Sequence, residues 1–153
     1  MPDEYEPGAP PQVEPQSLDD YLEAMSKCVF QSGMSWQVVH NKWETTREAF
    51  HDFAVETVAG LGPDDIDDLV KDTRVIRNRR KLDAVVSNAE RLIELDGEHG
   101  GFRNYLRSHD GFEATVKALK SDFKFLGVTG SYVFLYVVGE PVPPHEEWEA
   151  SKR

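Results

Sequence analysis

Cysteine is almost missing from this 153-residue sequence. Cys28 stands alone, which excludes an internal disulfide and any zinc site built from several cysteines. Lys and Arg are absent from the first twenty residues, so the basic start of a secretory signal is not there. Long apolar runs are missing too. The longest, Tyr132 to Val138, is far short of the roughly 20 residues that cross a bilayer. These absences lead us to expect a cytoplasmic protein without a membrane partner. Strict apolar–polar alternation is also lacking, which removes the usual signature of half-buried strands.

Acidic residues are abundant. The formal net charge is −11, from 28 Asp and Glu against 17 Lys and Arg. Nucleic-acid binders are usually basic, because neutralising phosphates releases counterions. The distribution changes the picture. Six acidic groups lie in residues 1–20, residues 140–153 carry a net −2, and residues 21–139 are left with only −3. Within that middle, Asp64, Asp65, Asp67, Asp68 and Asp72 precede a block of Arg74, Arg77, Arg79, Arg80 and Lys81. A local basic surface on an acidic protein is therefore compatible with the composition.

The pattern divides the chain into an acidic, Pro-rich arm over 1–16, one helical domain over 17–139, and an acidic, Pro-rich tail over 140–153. Both ends are expected to be mobile, because they offer little apolar surface to offset chain entropy. Ser17 and Asp20 resemble a capping box for a helix to about Phe30. Ser35 can cap a second helix carrying Trp36, Val39 and Trp43, and Pro63 opens another. Leu82, Val85, Val86, Ala89, Leu92 and Ile93 form an apolar stripe on a helix over 80–95. Short helices follow at Phe102–Leu106 and about 112–121. Tyr132 to Val138 has strand-like residues, but a lone strand leaves its backbone unpaired, so a buried helix is expected. The fold class is all-α.

Three segments carry chemistry. Gln31-Ser-Gly-Met-Ser-Trp36 is a glycine turn ending in an indole at a helix start. That face can stack on a base, or belong to an ordinary core tryptophan. Val75-Ile-Arg-Asn-Arg-Arg-Lys-Leu82 gathers cations at a helix N-terminus, where they oppose the macrodipole unless an anion sits among them. The bland alternative is a solvated basic face paired with Asp64 to Asp72. Lys120-Ser-Asp-Phe-Lys-Phe-Leu-Gly-Val-Thr-Gly130 reads as helix, glycine turn, helix. Amides near Gly127, Thr129 and Gly130 can bind a phosphate without reading sequence, and Lys124 can add a charge. Many helical hairpins contain glycine, however.

In order and spacing, these three segments resemble the 3-methyladenine DNA glycosylase I family of the helix-hairpin-helix superfamily over about residues 18–139. The resemblance rests on Gln31-Ser-Gly-Met-Ser-Trp36, on Ile76-Arg-Asn-Arg-Arg-Lys81 with Ala84 and Asn88-Ala89, and on Phe123-Lys-Phe-Leu-Gly127 with Thr129. It implies an enzyme that flips N3-alkylated adenine from double-stranded DNA and hydrolyses its glycosidic bond. The leaving base is already cationic, and the family does without its relatives' catalytic aspartate, so no catalytic residue is named. The implied base-binding set is Trp36, Cys28, Phe30, Gln31 and Tyr5. The implied phosphate-binding set is Lys124, Phe125, Gly127, Val128, Thr129 and Gly130, with Arg77, Arg79, Arg80 and Lys81. No cofactor is expected, and the chain is expected to act as a monomer.

The sequence departs from that family in three places. Its base-reading glutamate lies eight residues before the tryptophan, where this chain has Cys28. Its zinc site needs two cysteines and two histidines, so no metal is expected here. Its N-terminal pocket segment is replaced by the acidic arm, with Tyr5 near the place of the pocket tyrosine. Two other function classes remain open at this point: a relative that binds a nucleobase, DNA or another ligand without cutting, and a protein-interaction module using its acidic ends.

Overall fold

The structure is a computed structural model and describes residues 10–151. Among them there are only helices and connections. The order is α1 (Leu18–Gln31), α2 (Trp36–Ala49), α3 (Val55–Ala59), α4 (Pro63–Val70), α5 (Arg79–His99), α6 (Phe102–Leu106), α7 (Phe112–Asp122), α8 (Val128–Val137) and α9 (His145–Ser151). The 21-residue α5 is the axis of the domain, touching α1, α3, α4 and α6. α1 also meets α2 and α8, and α7 lies against α8.

Local chemistry explains most boundaries. The Ser35 hydroxyl accepts from the Val38 amide at 3.3 Å, and Asn78 accepts from the Lys81 amide at 3.2 Å, each satisfying a first-turn donor. Gly97 stays inside α5, which therefore runs past the expected end. Gly100, at φ +68°, terminates it in a left-handed turn. Ser17 makes no side-chain cap; instead Asp20 accepts from the Gln16 amide at 2.8 Å. α8 is a helix despite its β-branched composition. Ser131 to Val137 are all buried, and inside the core only an intrahelical ladder satisfies their backbone.

One feature escapes any sequence rule. His51, Asp52 and Phe53 take consecutive left-handed dihedrals, with φ between 55° and 57°. Such a turn costs roughly 1–2 kcal/mol per residue without glycine. Aromatic packing holds it: Phe53 stacks on Trp43 at 5.2 Å and on Phe50 at 5.3 Å.

Parts of both acidic ends pack against the helical domain over the described residues. Pro10 and Pro15 are buried, Val13 donates its amide to Val137 O at 2.7 Å, and Gln12 Nε2 donates to Tyr136 O at 2.9 Å. At the other end Glu140 is buried and accepts from Arg107 at 3.1 and 3.2 Å. The prolines stop α8 from continuing but admit a new helix, α9, whose Trp148 stacks on Tyr132 at 4.2 Å. The charge count missed how much apolar surface one indole supplies.

The zinc implied by the family resemblance does not fit this chain. Among the described residues no three His, Cys, Asp or Glu side chains converge to hold a metal. Cys28 is buried in α1, and His145 pairs with Glu149 at 3.2 Å. Aromatic stacking on Tyr132 secures the C-terminal segment instead. Trp148→Ala should therefore lower unfolding stability by roughly 3–5 kcal/mol in urea titrations. A strong chelator should leave the wild-type midpoint unchanged, and a chelator-induced drop would contradict this assignment.

Candidate nucleic-acid interface

The last two core helices form the expected hairpin, α7–turn–α8. Its turn is pinned from below by Asn88 of α5. The buried Asn88 amide donates to Lys124 O at 3.0 Å, and its oxygen accepts from the Lys124 amide at 2.8 Å. This pairing satisfies both backbone groups of one turn residue. Phe125, next in the chain, is left-handed at φ +57°, and the Arg80 guanidinium sits 5.6 Å from its ring centre. Strain of this kind persists only where neighbours over-determine it. A second network fixes the end of α7: Asp122 accepts from Tyr105 and from Arg91. Burial acts to raise the Asp122 pKa, but those two donors outweigh it and hold the carboxyl below its ordinary range.

The hairpin presents the start of α8. Ser131 N to Gly127 O, at 2.8 Å, is the first closing bond of that helix. The amides of Val128, Thr129 and Gly130 therefore lie outside the helical ladder. Gly127 has an extended backbone, φ −79° and ψ −165°, that any residue adopts. A Cβ there would meet nothing within 4 Å. Neither conformation nor internal packing demands glycine at this position. Gly130 differs, because a Cβ there would reach 3.4 Å from Leu126 and 3.9 Å from Cys28. It lets α8 lie close to α1.

The first segment also keeps its expected shape. Gly33, at φ +79°, turns the chain, Met34 N donates to Gln31 O at 2.7 Å, and Gln31 Nε2 returns a bond to Met34 O at 3.1 Å. The feature that fixes it comes from α5. Lys81 is only 5% exposed, and its ammonium donates to Phe30 O at 2.8 Å and to Ser32 O. It thus caps the C-terminus of α1, where a cation also meets the favourable end of the dipole. Burial lowers its pKa from the ordinary lysine value.

The base-binding set is more deeply placed than the sequence suggests. Phe30 is a core residue, fully buried and edge-on to Trp43 at 6.1 Å. Trp36 is 4% exposed and runs near-parallel to His40 at 6.1 Å, so its indole is not an open platform. Its Nε1 donor is buried and has no hydrogen-bond partner among the described residues. Cys28 is 2% exposed, and burial pushes its thiol up to about 12. Gln31 is partly buried in the turn, and Tyr5 lies outside the described residues.

The basic block splits by role. Lys81, expected at phosphate, is withdrawn from the surface with its ammonium on the carbonyls of Phe30 and Ser32. Arg79 pairs with Asp67, and Arg74 with Asp72 at 2.8 Å, as the solvated-face alternative anticipates. Arg77 and Arg80 are exposed, with Arg80 against the hairpin. The structure thus brings Arg80, Lys124, Phe125 and Gly127 to Gly130 into one surface. Asn88 counted in the family resemblance, but no site role was assigned to it from the sequence; a polar residue on the core-facing side of α5 was the further signal.

A neutral buried thiol has a measurable signature. The unfolded group ionises near 9.0 and the folded one near 12, so between those values only the folded state keeps the proton. The stability that Cys28 confers is full below pH 9 and is lost as pH rises toward 12. The stability difference between wild type and Cys28→Ala should shrink by about 1.4 kcal/mol per pH unit in that window. Urea titrations at several alkaline pH values read it directly, and a flat difference would refute the buried-thiol assignment.

Comparisons with known proteins agree with this geometry. The family model described as methyladenine glycosylase matches residues 12–122. The chain is 30% identical over 130 residues to DNA-3-methyladenine glycosylase 1 of Escherichia coli (strain K12), covering 71% of this chain and 70% of that one. It is 31% identical, with the same coverage, to DNA-3-methyladenine glycosylase of Haemophilus influenzae. A crystal structure of 3-methyladenine DNA glycosylase I superposes with a TM-score of 0.72 at 27% identity, covering 83% of this chain and 81% of the other. The Staphylococcus aureus enzyme of that name gives 0.72 at 26%, covering 84% and 79%. With a family model matched over residues 12–122 and relatives at 30% and 31% identity, the chain belongs to the methyladenine glycosylase family.

Proposed function

We propose that this protein is a DNA repair glycosylase that releases N3-alkylated adenine, or a similarly labile base, by hydrolysing its N-glycosidic bond. The observation that carries the reading is the start of α8: three amides outside the helical ladder, opened by a glycine that the fold itself does not require. A backbone phosphate is the ligand such a site accepts without reading sequence. Arg80 and Lys124 add charge beside it. We further propose that the substrate is double-stranded DNA and that the protein acts as a monomer in the cytoplasm. No helix among the described residues is long and apolar enough to cross a membrane.

At the base end the chain works with few groups. An N3-alkylated adenine is cationic, so the bond to its sugar is weakened before the enzyme acts. The indole of Trp36 attracts such a cation through its ring face. Its unpartnered Nε1–H is a donor whose burial costs about 1–3 kcal/mol until an acceptor arrives. The neutral Cys28 thiol contributes no charge, so selectivity rests on stacking and on lability of the base. A base reaching the indole displaces part of the packing that now covers it, and binding energy from the hairpin is available to offset that cost.

Purified protein incubated with methylated duplex DNA should release free 3-methyladenine, measured by chromatography, above a buffer control. Gly127→Ala should keep folding stability within about 1 kcal/mol, since its Cβ points into open space. The same change should weaken DNA binding and slow release at sub-saturating DNA. No release at low salt and high protein, with DNA binding retained, would replace the glycosylase reading by that of a binding-only relative.

A further inference from the structure

We infer that the DNA backbone continues past the hairpin along the outer face of α7, held by Lys117 and Lys120, and leaves the protein at Glu113. This rests on the reading above that the chain binds DNA. A groove of about 450 Å³ runs between α7 and the start of α8, lined by Glu113, Val116, Lys117, Lys120, Ser121 and Val128. It is continuous with the phosphate-binding surface, because Val128 is the first residue of α8 and one of the three that present an amide. Lys117, Lys120 and Ser121 share one face of α7, and Lys124 follows in the turn.

The cations of this face are unlike the arginines paired elsewhere on the surface. Arg47, Arg74, Arg79, Arg91 and Arg107 each have a carboxylate partner. Among the described residues no carboxylate bridges Lys117, Lys120 or Lys124, and all three are exposed. Like charges one turn apart on a helix repel, which destabilises the face until an anion lies between them. The sign then reverses along the same helix. Beyond Lys117 the groove opens into a wider cleft of about 880 Å³ rimmed by Asp110, Glu113 and Glu147. A polyanion following the lysines is turned away at that point. The acidic balance of the whole chain is therefore compatible with a short phosphate track of defined length.

Titrating the full-length protein with an undamaged, labelled duplex at several salt concentrations tests this without requiring base release. Each lost phosphate contact lowers the slope of log K against log salt by about 0.9, so Lys117→Gln with Lys120→Gln should lower it by about 1.8. The ratio of wild-type to variant affinity should then shrink about twelvefold between about 50 and 200 mM salt. Glu113→Lys should steepen the slope by about 0.9 and tighten binding. Lys71→Gln, exposed among the acidic residues Asp64 to Asp72, should leave slope and affinity at wild-type values. A double variant with the wild-type slope, a Glu113→Lys that binds no better, or a wild-type chain that does not bind duplex at all would each overturn the inference. Slope changes as expected without base release would leave the track standing and refute only the glycosylase reading.

Discussion

A single buried ammonium and a single buried amide, both on α5, hold the two halves of the interface. Lys81 clamps the carbonyls of Phe30 and Ser32, and Asn88 clamps the backbone of Lys124. The two residues are seven apart, two turns of one helix, which separates their anchors by about 10 Å along the axis. Distances between the tryptophan turn and the hairpin are thus set by a rigid element rather than by loop packing. Burying a charged amine is costly unless it is hydrogen-bonded, and the carbonyls of Phe30 and Ser32 take two of the three ammonium protons. On the proposed reading, drawing one nucleotide out of a duplex requires the phosphate grip and the base site at fixed spacing.

The electrostatic design is one of separation. Most arginines are occupied by neighbouring carboxylates and contribute little field beyond their own pair. Among the described residues, Arg80, Lys117, Lys120 and Lys124 around the start of α8 are exposed and bridged by no carboxylate, and the amides outside the helical ladder there add partial positive charge of their own. Acidic groups dominate elsewhere, which disfavours phosphate contacts away from that surface. Affinity built this way is sensitive to ionic strength and confined to one surface.

Much of the fold was legible in the residues. Ser35 and Pro63 marked helix starts, the apolar stripe of α5 gave its core-facing side, and the absence of alternation argued correctly for a helix over Tyr132 to Val137. The hairpin was legible from Gly127 and its neighbours. What the sequence hid is tertiary. Lys81 reads as one more surface cation in a basic run, and only its burial reveals a cap on another helix. Phe30 and Trp36 were both expected at the base, with a core tryptophan as the alternative, and neighbouring aromatic rings pack against both. Trp148 lies in a stretch whose charge suggested a loose tail, and one indole was enough to dock it. The left-handed turn at His51–Phe53 has no glycine to announce it.

Amide hydrogen exchange on Lys81→Met and Asn88→Ala, read residue by residue against wild type, tests the double clamp most directly. Lys81→Met should deprotect residues 31–36 and leave the hairpin as it was, while Asn88→Ala should deprotect 123–131 and spare the tryptophan turn. In both, α5 itself should keep its protection. Unchanged exchange in either segment, or an even loss across the whole domain, would contradict the claim that α5 separately holds the two halves.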